Sequence, residues 1–206
     1  TFATSADRDH TVKLEAKGLR PRTTYYYRFL YKGVASRVGR TKTAPAANAS
    51  PKNLRFGVVS CSNLQGGFFN AYARVAERAD LDAVLHLGDY VYEYADGGYG
   101  PGAGETSAPR PVAPPHEMVS VADYRARYAS YRLDPDLRRL HQVHPMIATW
   151  DDHETTNNSW REGAENHDPS EGDYQVRGAG VRRVDAHPRR PTRRDLPVVG
   201  RPRPGG

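Results

Sequence analysis

Three short runs of apolar and small residues, each ending in polar groups, constrain this chain more than anything else in it. Ala83-Val84-Leu85 leads into Gly88-Asp89-Tyr90-Val91-Tyr92, and Met146-Ile147-Ala148 leads through Trp150 into Asp151-Asp152-His153-Glu154. The third, Arg55-Phe56-Gly57-Val58-Val59-Ser60, ends at Cys61, the only cysteine. Uninterrupted apolar runs of this length are the pattern of strands buried on both faces of a sheet. Ligands gather where such strands end. The chain therefore predicts an α/β fold in which a thiol, a carboxylate with a phenol three residues on, and a carboxylate pair with a histidine share one rim.

The segments between the runs agree with this reading. Phe68 to Ala79 places Phe69, Tyr72, Val75 and Ala76 on one stripe, as expected of a helix crossing between two parallel strands. Ser120 to Arg132 and Pro135 to Val143 read as helices capped by Ser120 and Asp134. From Asp96 to Pro115, Gly and Pro break all periodicity, so this stretch reads as a loop long enough to border a site. His86 falls inside a strand and reads as a packed histidine.

Upstream, residues 1–44 read as a separate β module. Polar and apolar residues alternate at Thr11-Val12-Lys13-Leu14, and Thr24 to Tyr31 is rich in strand formers. Between them, Leu19-Arg20-Pro21-Arg22-Thr23-Thr24-Tyr25 resembles the tyrosine corner of fibronectin type III sandwiches, where a Tyr hydroxyl bonds back to upstream backbone. Residues 45–52, small and bounded by proline, form a linker.

Charge is unevenly placed. The net charge is +6, but nine of the 30 Lys and Arg, against two of the 24 Asp and Glu, lie in residues 176–206, so the rest is close to neutral. That segment has no aromatic residue and no periodicity, and it reads as a disordered basic tail. Without interleaved aromatics it gives no support to a specific nucleic-acid partner. No apolar run is long enough to span a membrane, and one cysteine excludes an internal disulfide.

The motifs resemble those of the calcineurin-like metallophosphoesterases, and within them the PhoD-type alkaline phosphatases. Gly88-Asp89-x-x-Tyr92 matches a GDxxY ligand motif, and Asp152-His153-Glu154 stands where most of that superfamily has Asn-His-Glu or Asn-His-Asp. Ser60-Cys61, Trp150-Asp151-Asp152-His153-Glu154 and Asn157-Asn158-Ser159-Trp160 mark the PhoD branch. The resemblance implies a partial fibronectin-III-like β-sandwich (1–44), then, over 53–175, the N-terminal half of a metallophosphoesterase αββα sandwich. It also implies hydrolysis of phosphomonoesters or phosphodiesters, on small molecules or a phosphodiester polymer. Iron(III) and calcium are the implied cofactors, other divalent metals being alternatives, and the implied location is extracellular, periplasmic or cell-wall.

The same resemblance assigns roles that the residue chemistry supports. A phosphate ester resists attack because its oxygens are anionic, and clustered cations neutralise that charge. Asp89 has two oxygens with which to bridge metals. The Tyr92 phenolate and Cys61 thiolate together favour iron(III), and Asp152, a carboxylate in place of Asn, suits calcium. His153 is the proton donor to the leaving group. Asp151 and Glu154 are either supporting groups behind the ligands or further calcium ligands, and Asn157 or Asn158 holds substrate or metal.

Two further expectations follow. The family's later ligand motifs have no counterpart after Tyr174, and an Arg/Pro/Gly-rich run is typical of a shifted frame, so the chain reads as leaving the family's frame near Tyr174 to Gly178, with weak or no turnover. The competing reading is a non-catalytic secreted binding module, a degraded relative that keeps the motifs as inherited scaffold.

Overall fold

The computed structural model describes residues 2–99 and 110–177. At its centre is a three-stranded parallel sheet of β5 (Phe56–Val59), β6 (Ala83–His86) and β7 (Met146–Ala148), in the order β5-β6-β7. Val58 aligns with Leu85, and Leu85 with Ile147, so the three expected runs lie side by side in register. Helix α1 (Asn70–Glu77) crosses from β5 to β6; α2 (Val121–Tyr131) and α3 (Pro135–Val143) connect β6 to β7.

The helices form where local chemistry starts them. Ser120 accepts from the Asp123 N–H while the Asp123 carboxylate accepts from the Ser120 N–H, a reciprocal cap for α2. Asp134 accepts from the Asp136 and Leu137 N–H groups, and Pro135 opens α3 at the one place where a missing N–H costs nothing. Phe69, Tyr72, Val84, Leu137 and Leu140 are buried in one cluster, with Val75 and Ala76 packed against it, as the stripe predicts. Gly57 lets α1 approach the sheet, because a Cβ there would lie 2.9 Å from Val75 Cγ1.

The expectation of strands buried on both faces is met on one face only, with β6 the most buried of the three strands. Val84 is fully buried, but Phe56, Val58 and Ile147 are exposed. Register puts Phe56, Val58, Leu85 and Ile147 on the face opposite Gly57 and Val84, and among the described residues no helix covers that face.

The upstream module is thinner than expected. Thr11 to Leu14 forms no strand. The Thr24–Tyr31 run breaks in two: β1 (Thr24–Tyr27) pairs antiparallel with β4 (Gly39–Lys42), and β2 (Leu30–Tyr31) with β3 (Val34–Ala35). The Tyr25 hydroxyl accepts from the Arg20 N–H, five residues upstream, at 2.8 Å. Polar ties fasten this module to the sheet module: Lys42 Nζ lies 2.5 Å from Asp82, and Arg40 donates to the Val143 and Ala79 carbonyls at 3.0 and 3.1 Å.

At the other end, Arg177 falls inside the segment read as a tail from 176, yet it is buried. Its guanidinium reaches Glu117 and Glu171, each at 2.7 Å, and the Tyr124 hydroxyl at 3.1 Å. The packed region thus runs through Arg177, and the remainder of the expected tail, 178–206, lies outside the described residues. No described helix is long and apolar enough to cross a membrane.

Candidate metal centre

The loops after β5, β6 and β7 meet at the carboxyl rim of the sheet, and backbone hydrogen bonds hold them in contact. Cys61 N–H donates to the Gly88 carbonyl at 3.2 Å, and Ser62 N–H to the Asp89 carbonyl at 2.8 Å. Gly88 has a φ of +111°, and a Cβ on it would lie 2.5 Å from the Asp151 Cβ, so glycine alone lets the third loop pass. Asp89 and Cys61 both sit on left-handed backbone, at φ of +53° and +56°. Such backbone is uncommon away from glycine, and it persists where the surroundings over-determine it, often at functional sites.

Glu154 supplies much of that determination. Its buried carboxylate accepts from Asp89 N–H at 3.0 Å, Tyr90 N–H at 2.5 Å and Asp151 N–H at 2.7 Å. Burial pushes its carboxyl up, and the three N–H donors offset part of that. Both carboxylate oxygens are thus engaged by backbone N–H groups of the loops after β6 and β7. Asp151 is exposed and joins this clip through its backbone.

Asp89 is the focus. Its Oδ2 accepts from the Tyr92 hydroxyl at 3.2 Å, while its Oδ1 is buried with no hydrogen-bond partner. An unpartnered buried carboxylate oxygen is costly, and a cation is the partner that removes the cost. Ligand atoms of Asp89, Asp152 and His153 lie within 4.8 Å of one another, the spacing of a shared ion. Tyr92 is buried, and its phenol is pushed well up, first by burial and then by Asp89 and Cys61. A positive ion is what would reverse that order and release the phenolate. The Cys61 thiol is exposed and near enough to act on Tyr92, but it lies outside the cluster of three. The donor set, hard oxygens with one imidazole and a thiol at the edge, fits a bound metal.

Helix α2 places the second half of the motif. Arg127, buried on α2, donates to the Tyr92 carbonyl and, at 2.9 Å, to the Tyr94 carbonyl, while the Tyr131 hydroxyl accepts from Tyr92 N–H at 3.2 Å. Tyr92 thereby faces His153, ring centroids 4.3 Å apart.

His153 Nδ1 lies 2.8 Å from Glu93 Oε2. Burial opposes protonation of His153, but Glu93, with Asp89 and Asp152, outweighs it and raises the imidazole pKa. Asp152 accepts from the Asn158 N–H at 2.5 Å. The amide groups of Asn157 and Asn158 donate to Glu165, so their NH2 ends are turned toward that carboxylate. Glu165 and Asn166 belong to the segment Gly163 to His167, whose place in the region of resemblance already puts it at the border of the site, whereas Glu93 and Thr156 were not read from the sequence. Of those two only Glu93 left a signal, as an acidic residue inside the otherwise aromatic and apolar run Tyr90 to Tyr94.

These features define an α/β protein with a metal-type donor cluster at the carboxyl rim of a parallel sheet. The family model described as PhoD-like phosphatase matches residues 56–193, and that of the PhoD-like phosphatase N-terminal domain matches residues 1–45. The chain belongs to the PhoD-like phosphatase family. It is 41% identical over 149 residues to alkaline phosphatase D of Bacillus subtilis (strain 168), covering 72% of this chain and 25% of that protein. A solved structure titled "Structure of PhoD" superposes with a TM-score of 0.76 at 34% identity, covering 87% of this chain and 33% of that one. The chain thus spans a quarter to a third of the length of these relatives.

Proposed function

We propose that this chain carries part of the active site of a metal-dependent phosphoesterase acting on phosphomonoesters, phosphodiesters or both, in an exported protein. The observation that carries the reading is the buried, unpartnered Oδ1 of Asp89 amid the donor atoms of Asp152 and His153. Asp89, Tyr92 and Cys61 would hold iron(III), and Asp89 and Asp152 calcium. Bound cations supply Lewis acidity and neutralise the charge of the transferred phosphoryl group. His153 donates the proton that the leaving oxygen needs. The bare face of the sheet supports the finer fold reading, half of an αββα sandwich, because apolar parallel strands are built to be covered twice.

The test is metal loading followed by turnover. Iron(III) added to the chain is expected to give a visible phenolate charge-transfer band that Tyr92→Phe abolishes. Hydrolysis of p-nitrophenyl phosphate or bis(p-nitrophenyl) phosphate is expected to require metal and to fall at least about 100-fold in Asp89→Asn. Turnover that survives chelation, or survives Asp89→Asn, would refute the proposal.

A further inference from the structure

Glu93 has no role in the site as read so far, yet it is fully buried and its two oxygens are surrounded. On Oε1 converge the Asn157 N–H at 2.6 Å, Asn166 Nδ2 at 2.9 Å and the Thr156 hydroxyl at 3.3 Å. Oε2 lies 2.8 Å from His153 Nδ1. A backbone N–H and an amide NH2 can only donate, so Oε1 is an acceptor, and because imidazole is the more basic partner of the pair, Oε2 accepts as well. The hydrogen between Glu93 and His153 therefore sits on Nδ1, and the imidazole's other nitrogen carries the lone pair. Tyr92 at 4.3 Å and Tyr94 at 5.7 Å, centroid to centroid, pack against the same ring and oppose its rotation.

We propose that Glu93 is a positioning residue that fixes His153 as the Nδ1–H tautomer and presents Nε2 to the leaving group. The catalytic consequence rests on the phosphoesterase reading above; the tautomer does not. In the reaction, water adds to phosphorus and loses its proton to solvent as the P–O ester bond breaks. The departing oxygen takes the Nε2 proton of imidazolium, leaving neutral His153 in the tautomer that Glu93 already favours.

The substitution Glu93→Gln reverses this hydrogen-bond logic without changing shape. The Asn157 N–H requires the amide oxygen on its own side, so the NH2 group must occupy the place of Oε2 and donate to Nδ1, which then has to accept. The first experiment is nitrogen-15 NMR of histidine-labelled chain, free of metal and substrate, at about pH 9, where imidazoles are neutral. The His153 signals are identified by their loss in His153→Asn. The expected result is hydrogen on Nδ1 in the native chain and on Nε2 in Glu93→Gln. Hydrogen on Nε2 in the native chain, or an unchanged tautomer in a folded Glu93→Gln chain, overturns the proposal; if that variant does not fold, the native tautomer decides.

The second readout compares leaving groups on the metal-loaded chain. Glu93→Gln should lose about 100-fold with alkyl phosphates, whose leaving oxygen needs a proton, and little with p-nitrophenyl esters, which leave unaided. A parallel loss on both marks a purely structural role and overturns the positioning claim. Absence of hydrolysis by the native chain would count against the phosphoesterase reading alone, since the tautomer is read without it.

Discussion

The two faces of the parallel sheet have nearly the same apolar composition and very different surroundings. On the face of Val84 and His86, α1 and α3 pack together and bury Tyr72, Leu137 and Leu140. On the other, Phe56, Val58 and Ile147 point outward, each more than two-fifths exposed. A strand's sequence records that both faces are apolar, but what covers each face is decided by residues distant in the chain. The covered face anchors the strands from which the rim loops grow, and the Glu154 carboxylate and loop-to-loop hydrogen bonds then hold those loops together.

The largest difference between the faces should appear on truncating a side chain from each. Leu140→Ala, which empties a fully buried position on α3, is expected to cost about 3 kcal/mol in denaturant unfolding. A loss near zero would mean that this face is not the core. Acid should act on the covered face next. Burial lowers the His86 pKa to about 4, and burial, with Arg132 nearby, lowers His141 to about 3. An unfolded histidine binds its proton near pH 6.5 while the folded ones refuse it, so stability is full above that pH and declines as pH falls toward 4. The decline is on the order of 1 kcal/mol for each histidine, read as a falling melting temperature; a flat profile would place both rings in water. Smallest is Val58→Thr on the bare face, expected to change stability by less than about 0.5 kcal/mol while reducing binding of a hydrophobic dye. A cost like that of Leu140→Ala would show the face to be covered in solution.

Much of this molecule was legible in its sequence, and the parts that were not share a cause. Pro135–Val143 forms as read, with Asp134 as its cap, because capping is local chemistry. The strands and the α1 stripe follow from periodicity, and the rim residues follow because strand ends are where a parallel sheet presents side chains. Glu93 and Arg177 escaped notice because charged residues are ordinarily exposed, and nothing local announces a distant partner such as Asn166 or Glu117. Glu154 was seen, but its choice of backbone N–H groups on another loop is a tertiary fact. Thr11 to Leu14 alternates like a strand and forms none, because strand pairing is settled between segments and not within one.

Arg40 reaches from β4 into the helical layer. Its guanidinium donates at once to the carbonyl of Val143, the last residue of α3, and to that of Ala79, two residues past the end of α1. One cation from a β-strand thus sits at the negative ends of two helices, where its charge is most welcome. The small β module is therefore a terminator for the helical layer, and the two should lose amide protection as one cooperative unit, with slow hydrogen exchange at the ends of α1 and α3 depending on a side chain far upstream.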